Sequence, residues 1–458
     1  MAQGKREREY FGSRMAVILS MAGSAIGLGN IWRFPYIAGE YGGAAFVFIY
    51  ILATIFISLP VFIAEVTIGR RSRLGAYGAM SSLRPGKGIW KFAGLLAVII
   101  PLLINSYYSV IGGWSLDYFF RSLSGEFVRT SPDKVTGVFG SFIASTWAPV
   151  LMHLAFLATS CFVVAHGVKS GIEKFSKVSM PVLFFLIVGM IVYSVTLPGS
   201  WEGVKYLLKP DFSEVDIKSC AYALGQSFYS LSLGMGAIIT YGSYVHKKEN
   251  IVASSAGTAF ADLSFAILAG FAIMPAVFAA GLEPGAGPGL IFQSIPYIFS
   301  RMGETMPVLS TIVSSVFFFT IVVAAMTSCI SLVEVGVSFL GERFGLPRKL
   351  SCIILFVLCG GIGVLCSLSF GPLADLSIGK KSIFDFLDWF CSNILLLVLS
   401  FLVVVFVGFA MKKEDVKEEI TNGGTSEGNR KIFPLVYFSI KWLAPVAIII
   451  IFITNFIL

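Results

Sequence analysis

The sequence predicts an all-α integral membrane protein of about eleven transmembrane helices. Three observations carry that prediction. The 458 residues are 56% hydrophobic and 14% aromatic but only 13% charged, whereas soluble chains carry about 25% charged residues. The apolar residues come in runs of roughly 20 to 30, enough for a helix to cross about 30 Å of hydrocarbon at about 1.5 Å per residue. The charges stand in short clusters between those runs.

In chain order the spans fall at 14–38, 42–69, 89–120, 148–166, 175–197, 220–245, 251–281, 305–341, 350–370, 382–411 and 434–458. Span 1 follows Lys5, Arg6 and Arg8 and contains Arg33. It is too long for a signal-peptide core, so it is expected to be retained. Spans 3 and 8 exceed one membrane thickness, which implies tilt or projection beyond the bilayer. Residues 121–149, 198–219, 282–304 and 371–381 read as external loops, with Pro and Gly gathered at 283–289. Residues 412–433 are polar and charged and read as a mobile cytoplasmic linker to a peripheral span 11.

Lysine and arginine set the expected orientation. With the N-terminus inside, 24 of the 34 basic residues face the cytoplasm, nine lie outside and Arg33 sits within span 1. That bias places the N-terminus in the cytoplasm of a plasma-membrane protein, and an odd number of spans leaves the C-terminus outside. The net charge of +8 therefore reports topology, and basic residues scattered over separate loops exclude a nucleic-acid groove. The seven Cys lie mostly in apolar runs without metal-like spacing and read as packing residues. His153, His166 and His246 are not clustered. No nucleophile, His or metal cluster converges, which argues against an enzyme.

Two spans break their own pattern. Gly23-Ser-Ala-Ile-Gly27-Leu-Gly29-Asn30 interrupts span 1, and Ser230-Leu-Ser-Leu-Gly234-Met-Gly236 interrupts span 6. Gly costs a helix about 1 kcal/mol relative to Ala, so clustered Gly makes unwinding cheap. Unwound backbone at membrane depth must line a cavity or be buried in protein. The breaks fall five spans apart, so spans 1–5 and 6–10 form two halves, each opened by a broken helix. Matching interruptions of this kind point to a transporter binding site.

Charges inside the hydrocarbon zone mark function. Asp262 lies about eleven residues into span 7, roughly 16 Å along the helix and near the midplane. Its carboxylate needs a cation, a proton or hydrogen-bond donors. A hard cation such as sodium wants oxygen ligands, and the break in span 1 offers carbonyls together with the Asn30 amide. Thr327 and Ser328 in span 8 either join such a site or bond back to their own helix. Glu65 near the end of span 2 either caps amides freed by the breaks or meets Arg70.

At Asn30-Ile-Trp-Arg-Phe-Pro35, preceded by GSAIGLG and followed by GGAAFVFIY, the chain resembles the neurotransmitter:sodium symporter family. The likeness runs through spans 1–10, including Glu65 before Gly69-Arg70, Tyr107-Tyr108 before Trp114, SLSLGMGAIITYGSY in span 6 and AAMTSCISL in span 8. The resemblance implies an inverted-repeat fold of five plus five helices with helices 1 and 6 discontinuous. It implies the bacterial amino acid transporter branch, some of whose members stop at eleven spans. The expected organisation is a cytoplasmic gate segment at 1–13, repeats at 14–197 and 198–411, the linker at 412–433 and the last helix at 434–458.

The resemblance also implies roles. One sodium site would use Ala25, Asn30, Ser230, Asp262 and the substrate carboxylate. A second would use carbonyls of Gly23, Ile26 and Ala324 with the hydroxyls of Thr327 and Ser328. The substrate carboxylate would meet the Leu28 and Gly29 amides and the Tyr108 hydroxyl, at the positive end of a half-helix. The amino group would meet carbonyls near Ala25, Tyr229 and Ser232, and Ser230 is also expected among the substrate-binding residues. Ile104, Tyr229, Ser232, Met235, Ser328 and Leu332 would line the side-chain pocket. Arg33 and Asp388 match an external gate, and Arg8, Tyr244 and Glu342 an internal one, with Glu342 in place of the usual Asp.

Three positions separate subtypes in the family. Gly27 stands where monoamine carriers have Asp, so the substrate should bring its own carboxylate, as an amino acid does. Asp262 replaces a common Asn, and Ala266 replaces the Glu or Ser of relatives. The expectation is that Asp262 supplies the charge chloride provides elsewhere, although Tyr50, Gln226 and Ser230 retain the makings of an anion site. Met235 replaces a common Phe and is pliant enough to admit Leu, Phe, Tyr or Trp. The implied activity is sodium-coupled symport of hydrophobic or aromatic amino acids by alternating access. A receptor or gated channel on the same scaffold is the alternative.

Overall fold

In a computed structural model the described residues are 9–282 and 290–457. Among them, nine helices are long and apolar enough to cross a membrane. These are Ala44–Ser72, Gly88–Leu123, Ala148–Ala165, Val168–Val195, Ile251–Ala279, Pro307–Phe344, Arg348–Leu368, Ile383–Ala410 and Glu427–Phe456. Span 1 is a pair, Arg14–Ala25 and Gly29–Glu40, bent by 55°. Span 6 is split into Ile217–Ser230 and Ala237–Gly242, neither of which crosses alone. The eleven expected spans thus appear as nine continuous helices, one bent pair and one divided stretch.

Chain chemistry sets the helix starts. Ser13 accepts from the Ala16 amide at 3.2 Å to begin span 1, Asp216 forms a capping box with Ser219, and Asn250 accepts from the Ala253 amide at 3.1 Å to begin span 7. Such caps satisfy donors that have no partner within the helix. Span 3 packs along spans 4, 8 and 9, and span 7 along spans 1, 2 and 5. The solvation pattern is inverted relative to a soluble protein. Phe162, Phe185, Phe260 and Val357 are exposed, whereas Asn30, Gln226, Asp262 and Glu334 are fully buried. That suits a chain whose solvent is lipid.

Two expectations need correction. The stretches expected as external loops are not plain loops: they hold helices Glu126–Arg129, Pro132–Ala144, Ser200–Leu208 and Ile295–Gly303. The Pro- and Gly-rich 283–289 lies outside the described residues. Nor is 412–433 a featureless linker. It folds into helix Lys413–Ile420, a turn, and the start of a final helix that begins at Glu427 rather than 434. The reason is a clasp to span 2. Buried Arg70 donates to Glu419 Oε2 and to the Glu419 carbonyl, each at 2.6 Å, and to the Glu249 carbonyl at 2.6 Å. Arg71 pairs with Asp415 at 2.6 Å and Glu418 at 3.0 Å.

Candidate functional site

The first half of span 1 closes with the Ile26 amide donating to the Ala22 carbonyl at 2.6 Å, and the ladder resumes with Asn30 N to the Gly27 carbonyl at 3.2 Å. Between them, the Gly27 amide donates to Asn30 Oδ1 at 3.1 Å and the Leu28 amide to the Tyr108 hydroxyl at 3.1 Å. The freed carbonyls find hydroxyls. Ser24 O accepts from Ser232 at 2.8 Å and Ser328 at 3.3 Å, and Ile26 O from Thr327 at 3.3 Å and Ser328 at 3.4 Å. The Leu28 amide and the Ser24 and Ile26 carbonyls are thereby aimed at spans 3, 6 and 8, while the Gly27 amide is held within span 1 by Asn30.

Span 6 opens between Ser230 and Ala237 through three left-handed residues, Ser232 at φ 54°, Gly234 at φ 73° and Gly236 at φ 68°. At Gly234 a Cβ would lie 2.4 Å from the Leu396 carbonyl, so only Gly permits this approach. Glu65 Oε1 accepts from the Gly234 amide at 2.8 Å. Of the two readings for Glu65 the structure gives the amide cap, because Arg70 is engaged by Glu419.

Where the breaks meet, buried Asp262 gathers polar atoms from three spans. Asn30 Nδ2 donates to Asp262 Oδ1 at 2.8 Å and to Ser230 Oγ at 3.0 Å, and Ser230 Oγ donates to Asp262 Oδ2 at 2.7 Å. Tyr50 donates to Ser230 Oγ at 3.2 Å, and Gln226 Nε2 to the Gly29 carbonyl at 3.0 Å. One detail departs from the expected ligand set. Asn30 turns its nitrogen, not its oxygen, to the acid, because a carboxylate shielded from water recruits donors.

A second cluster sits against span 8. Thr327 Oγ1 donates to its own helix at Ala324 O, 2.8 Å, and reaches Ile26 O across the gap. Gly23 abuts it, since a Cβ there would stand 3.5 Å from Thr327 Cβ. Thr327 therefore bonds both back and across, and Ser328 bonds across.

Between these clusters lies a small, partly open cavity. Nine of the eleven residues expected at the substrate line it: Ala25, Gly29, Ile104, Tyr108, Tyr229, Ser232, Met235, Ser328 and Leu332. Leu28 stands behind Tyr108, and Ser230 belongs to the Asp262 cluster. Gly27, singled out above as a subtype position, also lines the cavity, as do Ser24 and Ser331, which were not anticipated. Ser24 lies inside the span 1 break, and Ser331 is one turn beyond Ser328, so both signals were available.

Tyr229 also lines a second cavity shared by spans 6, 10 and 11. The Arg33 guanidinium stacks on its ring at 4.7 Å from the side of the second cavity, and Tyr229 alone is common to both. Arg33 and Asp388 do not form a direct ion pair. Arg33 lies over Tyr229, while Asp388 accepts from Ser392 at 3.3 Å.

At the opposite end Arg8 lies outside the described residues. Glu342 accepts from the Gly75 amide at 2.9 Å and from Ser338 at 2.9 Å. Tyr244 donates to Glu334 at 2.6 Å, and Glu334 forms an ion pair with Arg348. Arg348 also donates to the Val164 carbonyl at 2.6 Å, tying spans 4, 6, 8 and 9 together. Glu334 and Arg348 were missed in the sequence. The signal was an acid in the apolar run Leu332-Val-Glu-Val-Gly336, the same kind that marked Asp262.

A buried site between two broken helices, with aromatic and ionic closures on either side of it, defines a multi-pass membrane transporter. Comparisons with known proteins are specific. The family model described as the sodium:neurotransmitter symporter family matches residues 8–136 and 140–458. A Bacillus subtilis protein named as the uncharacterized sodium-dependent transporter YhdH is 36% identical over 444 residues, covering 96% of each chain. An uncharacterized sodium-dependent transporter of Haemophilus influenzae is 34% identical, covering 99% of this chain and all of the relative. The crystal structure of MhsT in complex with L-phenylalanine superposes with a TM-score of 0.88 at 40% identity, covering 98% of this chain and all of that one. The chain belongs to the sodium:neurotransmitter symporter family, and it is a sodium-dependent transporter, not an enzyme.

Proposed function

We propose that this symporter imports hydrophobic and aromatic L-amino acids with two sodium ions, by alternating access and without chloride. The observation that carries this is the cavity itself. One end presents the Tyr108 hydroxyl, held from behind by the Leu28 amide, the wall is Ile104, Met235 and Leu332, and Asp262 lies in the cluster alongside. At Gly27 a Cβ would stand 2.4 Å from Ser328 Oγ and 2.7 Å from the Tyr108 hydroxyl. The site has no room for an acid of its own there, so the substrate supplies the carboxylate. The 40%-identical MhsT was solved with L-phenylalanine, which supports an aromatic substrate.

A first sodium ion would sit between Asp262, Ser230, the Ala25 carbonyl and the substrate carboxylate, with the Asn30 amide turned to offer oxygen. A second would sit among the carbonyls of Gly23, Ile26 and Ala324 and the hydroxyls of Thr327 and Ser328. On this reading 14–197 and 198–411 are inverted halves, the N-terminus is cytoplasmic, Arg33 with Asp388 closes the outer side, and Arg8, Tyr244 and Glu342 close the inner. A 100 mV potential supplies about 2.3 kcal/mol per ion, and a tenfold gradient about 1.4 kcal/mol more. Two ions then sustain a zwitterion accumulation of about 10⁵-fold at most.

Uptake of labelled phenylalanine into proteoliposomes tests the proposal. It is expected to be concentrative with a sodium gradient and absent with choline, and leucine, tyrosine and tryptophan should compete far better than glycine. Equal competition by glycine would overturn the substrate class. Replacing chloride with gluconate is expected to leave the rate unchanged, and a sharp fall would contradict the role given to Asp262. Met235→Phe, which narrows the pocket, is expected to weaken tryptophan about tenfold more than leucine. The check is a competition curve for each amino acid.

A further inference from the structure

We propose that the groove between the end of span 10 and the start of span 11 binds the headgroup of an anionic phospholipid. The groove has a volume of about 470 Å³ and is lined by Lys413, Lys417 and Lys441 together with Tyr437, Phe438 and Trp442. Two of the ammonium groups converge on one ring: Lys413 Nζ lies 5.7 Å and Lys441 Nζ 5.9 Å from the Tyr437 centroid. Lys441 also stands 5.0 Å from Phe409 and 5.6 Å from Trp442. Cation–π contacts hold the lysines in place without neutralising them. Tyr437 is itself fixed, donating to the Gly408 carbonyl at 3.1 Å and stacked on Phe433 at 5.5 Å.

The helix Lys413–Ile420 explains why the positive charge is left over. Lys413 and Lys417 are one turn apart and share a face. Asp415, Glu418 and Glu419 occupy the other face, where Arg70 and Arg71 take them. Glu414 approaches Tyr437, which still leaves three lysines against one acid. Among the described residues none of the three lysines makes an ion pair. The charge is therefore open to an external anion.

The rim selects a lipid over a soluble anion. Phe438, Trp442, Leu435 and Phe409 are all more than half exposed beside the groove. Lysine with tryptophan at the end of a span marks the depth where headgroups meet acyl chains. A phosphate seated among the lysines would lay its chains along Phe438 and Trp442. Basic pockets between span ends recognise anionic headgroups in this way. A bound headgroup would also brace helix Lys413–Ile420, whose other face holds Arg70 at the foot of span 2.

The test is native mass spectrometry and thermal melting of the purified transporter with phosphatidylglycerol or phosphatidylcholine. The wild type is expected to retain phosphatidylglycerol and to melt higher with it than with phosphatidylcholine. K413Q/K417Q/K441Q should retain at least about tenfold less, while K413R/K417R/K441R and the remote K247Q/K248Q should behave as wild type. Equal retention by the Gln variant, or an equal loss in K247Q/K248Q, would overturn the site. Inorganic or glycerol phosphate giving the same melting shift would overturn the lipid assignment. Should the Gln variant fail to fold, an absent phosphatidylglycerol preference in the wild type would itself refute the proposal.

Discussion

Asp262→Asn is expected to cut sodium-driven uptake by about 100-fold, chiefly through a weaker apparent affinity for sodium. The carboxylate is fully buried and takes hydrogen bonds from Asn30 and Ser230 at 2.7–2.8 Å. Asn keeps the shape and one acceptor but removes the charge opposite the incoming cation. Interactions of charged groups contribute about 1.5–3 kcal/mol net, which is about 10- to 150-fold. The variant should also gain a dependence on chloride, because Tyr50, Gln226 and Ser230 remain beside the lost charge. Sodium titration of the initial uptake rate, in chloride and in gluconate, checks both parts. An unchanged sodium curve would show that Asp262 is structural.

Arg348→Ala is expected to destabilise the end of the bundle where spans 4, 6, 8 and 9 meet by several kcal/mol. Glu334 is fully buried, and its carboxylate would keep only the Tyr244 hydroxyl, 2.6 Å away. Removing one partner of a buried pair costs about 3–5 kcal/mol, whereas removing both costs far less. The double variant Glu334→Ala with Arg348→Ala should therefore melt closer to wild type than Arg348→Ala alone. Melting of the purified proteins measures this directly. Additive losses would mean that the pair is not the unit that locks spans 6, 8 and 9.

The sequence shows the fold where a single residue type has one physical consequence. Clustered Gly in spans 1 and 6 marks both breaks because little else lowers helix stability so cheaply. Asp262 was legible because a charge in an apolar run has few explanations. Glu334 sits in an equally apolar run and was legible on the same ground, yet it carries no motif to draw attention. The segment 412–433 misled because composition describes local solvation. Its order comes from Arg70, 349 residues away from Glu419, and no local pattern reports such a partner. The direction of the Asn30 amide and the stacking of Arg33 on Tyr229 are likewise tertiary outcomes. Spacing along the chain does not encode them.

The central claim is that the two interrupted helices jointly hold cation and amino acid at one place. A cryo-electron microscopy map with sodium and L-phenylalanine tests it most directly. The account predicts a carboxylate against the Leu28 amide and Tyr108 hydroxyl, with a cation between it and Asp262. Density for the amino acid only in the second cavity beside Arg33 and Leu396, with Asp262 uninvolved, would contradict it.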